Sequence, residues 1–185
     1  MNNGDTPTYE FVCAAMSTTV SVQIVGAHPN AESLAASALD WFRLVESTCS
    51  RFDTQSELVR LCEASPNTAT VSPLLFEVLR VALAVADASH GAFDPTLGAT
   101  LGAMGFDTHW QTGATLGRDF PTNRADWRRI VLDETHGTLM LPQRVMLDLG
   151  AIAKGFALDL AARALSGVAD CCIVAGGDLL CRGLN

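Results

Sequence analysis

Positive charge is scarce in this chain. Lys and Arg total 12 against 20 Asp and Glu, for a formal net charge of -8. Nucleic-acid binding draws chiefly on Lys and Arg, so no nucleic-acid partner is expected. An anionic small molecule stays open, because one local pocket can oppose the overall sign. Long apolar runs are also missing. The most apolar segment, Leu74 to Ala88, is interrupted by Glu77, Arg80 and Asp87, so no membrane span is expected. The start, Met1-Asn2-Asn3-Gly4-Asp5, has no basic residue, and no apolar stretch precedes Cys13. A cytoplasmic address is therefore expected, or a periplasmic one if a leader has been removed.

Metal and nucleophile signatures are absent as well. Cys13, Cys49, Cys62, Cys171, Cys172 and Cys181 include no C-x-x-C pair, which argues against a zinc site. They read as buried, reduced, structural cysteines, in keeping with a cytoplasmic address. His28, His90, His109 and His136 lack metal-ligand spacing. No G-x-S-x-G, Walker or G-x-G-x-x-G pattern occurs.

What is present suits one globular domain, or most of one. The 185 residues are 49% hydrophobic and 17% charged, a mix that folds rather than stays disordered. A chain of this size buries roughly 70% of the surface its unfolded form exposes. Residues 1–10 read as a loose leader. Phe11 to Val25 contains a strand over Thr18 to Val25, where β-branched residues alternate with smaller polar ones. Ala14 to Ser17 leads into it as a bend or a separate strand. Asn30 to Cys49 reads as a helix, capped at Asn30, with Leu34, Ala38, Trp41, Phe42 and Val45 as its apolar stripe. A brief helix ends near Cys62, and Ala64 to Thr70 reads as a loop.

The next helix announces its start. Ser72 caps it, Pro73 takes the first position, and Val71 can staple onto Phe76. It runs to about Ser89. His90 to Gly98 is a loop punctuated by Gly and Pro, with a short helix expected around Pro95 to Met104. Irregular sequence continues to about Asn123, with Trp110 inside it, and so long a loop points to function. Trp127 to Asp133 and Thr138 to Leu141 read as a hairpin. Cys171 to Ala175 reads as a buried strand, Gly176-Gly177-Asp178 as a turn, and Leu179 to Cys181 as the start of another strand. This order of elements predicts an α+β (mixed α/β) domain with a β-sheet core and packed helices.

One stretch breaks local rules. Arg144 to Phe156 reads as a short strand, a tight turn and the first turn of a helix over Ala151 to Ser166. At helical spacing Ala157, Leu158, Leu160, Ala161, Ala164 and Leu165 share one side. Lys154 falls in the middle of that side, and in a first turn where the helix dipole disfavours a cation. Breaks of this kind tend to mark functional or compensated sites. Asp148 faces away from Leu147 and Leu149. Gly150 lets the backbone approach a ligand closely, and the unpaired first amides of the helix make an anion site. A diphosphate would suit it. The spacing equally allows Lys154 to snorkel outward or to pair structurally with Asp148.

Read together, these segments resemble the ApbE family, the FAD:protein FMN transferases. Asp148-Leu149-Gly150-Ala151-Ile152-Ala153-Lys154-Gly155-Phe156-Ala157-Leu158-Asp159 resembles the family's D-L-G-x-I-A-K-G-[YF]-A-x-D motif. Gly176-Gly177-Asp178 follows at the family's distance. Gly91 to Gly98 resembles its G-A-F-D-P-T-x-G segment. Ser50-Arg51-Phe52 through Ser56-Glu57-Leu58 resembles S-x-[YF]-x-x-x-S-E-L, and Met16-Ser17-Thr18 resembles an early M-G-T. The segments occur in order from Met16 to Gly183.

The resemblance implies an enzyme that takes FAD as substrate with Mg²⁺. A threonine hydroxyl of an acceptor flavoprotein attacks the FAD diphosphate, FMN is esterified to it, and AMP leaves. Some family members hydrolyse FAD to FMN and AMP instead. The resemblance implies FAD contacts at Met16, Phe52, Ala92, Phe93, Asp94, Asp148 and Lys154, and a metal contact from the Ala151 carbonyl. Phe52 stands where many members have tyrosine, which removes a hydroxyl from the flavin pocket. The family's D-x-x-x-T metal motif and its catalytic base are expected beyond Asn185. Residues 11–185 are thus expected to be the front portion of such a domain, in an apparently shortened chain. A flavin-binding or interaction protein without the catalytic half is the alternative. Strand edges left unpaired would favour association, so a homo-oligomer is admitted as a partner.

Overall fold

The computed structural model describes residues 6–109, 113, 115, 119–122 and 125–183. Trp110 and Asn123 lie outside them. The chain divides into two compact units, Met1–Glu46 with Lys154–Asn185, and Ser47–Ala153.

In the first unit, β1 (Thr8–Ala15) and β2 (Thr18–Val25) form an antiparallel hairpin. β2 pairs with β6 (Cys171–Ala175), and β6 with β7 (Asp178–Arg182), giving the order β1-β2-β6-β7. The alternation seen in the sequence sets the faces. Val20, Val22 and Ile24 are fully buried, as is Ile173, with Cys171 and Ala175 beside it in β6. β1 is a strand of its own, separated from β2 by a turn at Met16–Ser17, and it begins at Thr8, inside the stretch expected as a leader. Two helices add the remaining buried faces. α1 (Ala31–Cys49) buries Ala35, Ala38, Phe42 and Val45. α5 (Gly150–Ala164) buries Ala157, Leu158 and Ala161, on the side that periodicity assigns, and Leu165 follows them. Arg182 ties β7 to the end of α5. Its Nη1 and Nη2 donate to the carbonyls of Leu165 (2.8 Å) and Ala162 (3.3 Å), where a helix end favours a cation.

The second unit holds α2 (Glu57–Ala64), β3 (Thr68–Thr70), α3 (Pro73–Ala88), α4 (Gly98–Ala103), β4 (Val131–Asp133) and β5 (Thr138–Met140). Its sheet is antiparallel, in the order β3-β5-β4. α3 starts as expected. Ser72 Oγ accepts from the Leu75 amide at 3.2 Å, Pro73 follows the cap, and Val71 and Phe76 are both buried. Glu57 reinforces that cap from α2, accepting from the Ser72 amide and hydroxyl at 2.5 and 2.6 Å.

Three further expectations change. Thr68–Thr70 is a strand rather than loop, because β5 pairs with it. Trp127–Arg129 is a short 3-10 turn, so the hairpin begins at Val131. Residues 144–149 form no strand. They run as an irregular segment held by contacts described below.

Candidate functional site

In the second unit, Arg51 is the hub. Its Nε lies 2.7 Å from Asp148 Oδ2, and the two side chains are 8% and 18% exposed. An Nη2 proton goes to the Phe106 carbonyl. The guanidinium lies over the Phe52 ring, 4.2 Å from its centroid, a geometry in which cation and π-face attract. Phe52 in turn meets His109 edge to face, 5.5 Å between centroids. Among the described residues, Arg51 Nη1 is one of two buried side-chain donors without a partner. Such an orphan costs stability unless something offsets it.

Asp148 is fixed from several sides. Its Oδ1 accepts from the Gly150 amide at 2.8 Å, just where α5 starts. Its own amide donates to the Pro95 carbonyl at 2.8 Å. Next to it, the Leu147 amide donates to Cys62 Sγ at 3.4 Å, and Gly98 N donates to the Met146 carbonyl at 3.1 Å. These bonds hold residues 144–149 in place of a strand ladder. A Cβ on Gly98 would sit 2.6 Å from the Met146 oxygen, so this approach requires glycine.

The same contacts bring the Ala92-Phe93-Asp94 segment alongside. α3 ends in a Schellman motif. Gly91 N donates to the Ala86 carbonyl and His90 N to the Asp87 carbonyl, with His90 at φ +53°. That reversal turns the chain into Ala92, which is exposed, Phe93, which is half-buried, and Asp94, which is buried. Asp94 Oδ1 accepts from the Thr96 amide at 2.9 Å and from its hydroxyl at 2.7 Å. Phe52, Ala92, Phe93, Asp94 and Asp148 therefore all lie on this unit, linked through Arg51 and through the 95–98 segment.

In the first unit, register places both hairpin turns at one end of the sheet. Ala15 pairs Thr18, Val20 pairs Ala175, and Ala175 pairs Asp178. Met16 and Ser17 have φ +52° and +60°, and Gly176 has φ +64°. Lys154 points to this end. Its Nζ is 3.8 Å from Asp178 Oδ2, with side chains 33% and 49% exposed. A Cβ on Gly176 would lie 3.0 Å from Thr18 Oγ1 and 3.6 Å from Lys154 Nζ. Met16, Lys154 and the Gly176-Gly177-Asp178 turn thus share one neighbourhood. Lys154 is also the only lysine in the chain.

The structural alternative for Lys154 takes a different form from the one expected. Asp148 pairs with Arg51, and Lys154 with Asp178. Sequence reasoning gave Arg51 no role, because nothing local signals its carboxylate partner far along the chain. Thr18, which the sequence offers only within Met16-Ser17-Thr18, comes near Lys154 at Gly176 through strand register. Ala151 is exposed in the first turn of α5. Among the described residues no three His, Cys, Asp or Glu side chains gather to hold an ion. Mg²⁺ takes six oxygens and usually one or two carboxylates. Such a site needs fewer protein side chains than that, since waters and substrate phosphates supply the other oxygens.

The fold and these segments define a class. The ApbE family profile matches residues 16–185, and the chain belongs to the ApbE family. A FAD:protein FMN transferase of Chlamydia trachomatis is 33% identical over 123 residues, 64% of this chain and 39% of that protein. The ApbE protein of Thermotoga maritima superposes with a TM-score of 0.79 at 26% identity, covering 97% of this chain and 60% of that one. The flavinyl transferase ApbE of Pseudomonas stutzeri superposes with a TM-score of 0.81 at 22% identity, covering 99% and 61%. That second likeness speaks to fold alone. The mixed α/β fold class agrees with both. The chain spans between 39% and 61% of the length of these relatives.

Proposed function

We propose that this chain carries the FAD-binding portion of a flavin transferase. The reaction moves FMN from FAD to a threonine of an acceptor flavoprotein and releases AMP. The observation that carries this reading is the family match over residues 16–185, which runs through both clusters described above. In the threonine step the hydroxyl oxygen bonds to the FMN phosphorus. The P–O bond to the AMP phosphate breaks, and AMP leaves with the electron pair. The hydroxyl proton must pass to a base. Phosphoryl transfer is mostly positioning and charge neutralisation. Lys154 supplies a cation for the diphosphate; the first amides of α5, expected to be unpaired, are mostly taken, Gly150's by Asp148 Oδ1 and those of Ile152 and Ala153 by the Leu149 carbonyl. Phe52 offers a ring face for the flavin. Asp148, held by Arg51, offers a fixed acceptor. The Ala151 carbonyl would be this chain's contribution to holding Mg²⁺, which would supply further charge neutralisation at the diphosphate.

The test is incubation with FAD, Mg²⁺ and a threonine-bearing acceptor peptide. AMP and FMN-bearing peptide are expected together. FAD retained with no AMP would instead identify a flavin-binding protein. AMP with free FMN would identify a pyrophosphatase.

A further inference from the structure

The β6–β7 hairpin carries a feature that flavin chemistry does not use. Its register sets Cys172 directly opposite Cys181. The turn has two residues, Gly176 and Gly177, and closes on the pair Ala175–Asp178. In such a hairpin the closing pair is hydrogen-bonded, and the class alternates from there. Val174–Leu179 and Cys172–Cys181 are therefore non-hydrogen-bonded pairs. Their Cα atoms approach to about 4.5 Å, with side chains leaning together. A disulfide asks for Cα atoms roughly 4.4–6.8 Å apart, so no strand has to move.

The two thiols already interact. The Cys172 thiol is pushed up to about 11, first by burial and then by its hydrogen bond with Cys181. Their exposure differs usefully. Cys181 is exposed, while Cys172 is 8% exposed. One sulfur can meet a reagent from solvent, and the other stands behind it. Cys171 points to the opposite face with Ile173 between it and the turn, and Cys13, Cys49 and Cys62 are buried elsewhere.

We propose that Cys172 and Cys181 are a dithiol that closes to an intramolecular disulfide when it meets a low-molecular-weight disulfide of the glutathione class. The Cys181 thiolate attacks one sulfur of the reagent, whose S–S bond breaks and releases one glutathione thiolate. Cys172, after losing its proton to solvent, attacks the Cys181 sulfur and expels the second glutathione thiolate. Two protein thiols are oxidised, and one reagent disulfide is reduced to two thiols. An exposed disulfide is of the readily reversible kind. Closing it ties β7, which starts at Lys154's partner Asp178, to the buried strand β6.

The native chain is incubated with oxidised glutathione, quenched in acid and alkylated in denaturant. Trypsin has no site between Arg163 and Arg182, so cleavage before Asp170 and Asp178 is used to separate Cys171 and Cys172 from Cys181. The expected result is loss of two of the six alkylatable thiols, with the two peptides joined until a reductant is added. The link persists in Cys171→Ser. In Cys172→Ala a glutathione adduct remains on Cys181. A free Cys181, a stable glutathione adduct on the unsubstituted protein, or a link through Cys171 overturns the proposal. Fragmentation of the linked peptide from the unsubstituted protein tells Cys172 from Cys171, and so decides even if a variant fails to fold.

Discussion

Arg51 in one unit and Lys154 in the other are the cations of the two clusters that carry the proposed FAD contacts, and they are held in different ways. Arg51 is buried against Asp148 and Phe52. Breaking a buried pair from one side leaves a charge without its partner and costs about 3 kcal/mol. Arg51→Ala should therefore lower stability by roughly 2–3 kcal/mol in denaturant titration and weaken FAD binding about ten-fold, or roughly 1.4 kcal/mol. Arg51→Lys should restore most of the stability, but not the planar stacking on Phe52. Equal FAD affinity in all three proteins would remove Arg51 from the site. The Lys154–Asp178 pair is half-exposed and long, and such pairs contribute about 0–1 kcal/mol. Lys154→Met should leave the thermal midpoint within about 3 °C while weakening FAD binding at least ten-fold. A large loss of thermal stability in that variant would make the lysine structural. Sequence alone exposed Lys154, because a charge inside an apolar helix face violates a periodic rule. It gave no such sign for Arg51, whose environment comes from residues distant in the chain.

At the scale of elements, periodic and capped segments were legible and non-local pairings were not. The α3 start could be read from Val71, Ser72 and Pro73 because its signals lie within a few residues. The α5 face could be read from helical spacing. β3 could not, since three residues between loops become a strand only when β5 arrives. The 144–149 segment misled for the opposite reason. Val145, Met146, Leu147 and Leu149 have strand-like composition, yet their partners are single contacts at Cys62, Pro95 and Gly98. Gly98→Ala tests that arrangement. The added Cβ meets the Met146 carbonyl at 2.6 Å and its side chain at 2.8 Å. Overpacking of this sort costs about 1–3 kcal/mol. The thermal midpoint should fall, and hydrogen exchange at Asp148 should quicken. An unchanged midpoint would mean that the segment gives way easily and does not fix Asp148.

Over the whole chain, the cysteines set an alkaline limit on stability. Burial pushes the Cys49 and Cys62 thiols up to about 12 from the ordinary 9.0. A group raised in the folded state contributes stability that is complete below its unfolded pKa and is lost as pH rises through the folded one. The unfolded chain binds fewer protons between pH 9 and 12, so the free energy of unfolding should fall across that window. The limiting slope is about 1.4 kcal/mol per pH unit for each such thiol. Denaturant titrations at stepped pH would reveal it, and Cys62→Ala should flatten the curve. The chain has one tyrosine and one lysine against six cysteines, so the thiols are the larger set with ordinary pKa values near this range.

The solitary lysine also makes the molecule its own reporter. Lys154 carries the only side-chain primary amine, and its side chain is one third exposed. Among the side chains of this sequence, an amine-selective acylating reagent can therefore mark only this nitrogen. FAD should slow labelling at Lys154 several-fold. Riboflavin, which lacks the diphosphate, should not. Equal protection by both would shift the ammonium's partner from the phosphates to the flavin ring.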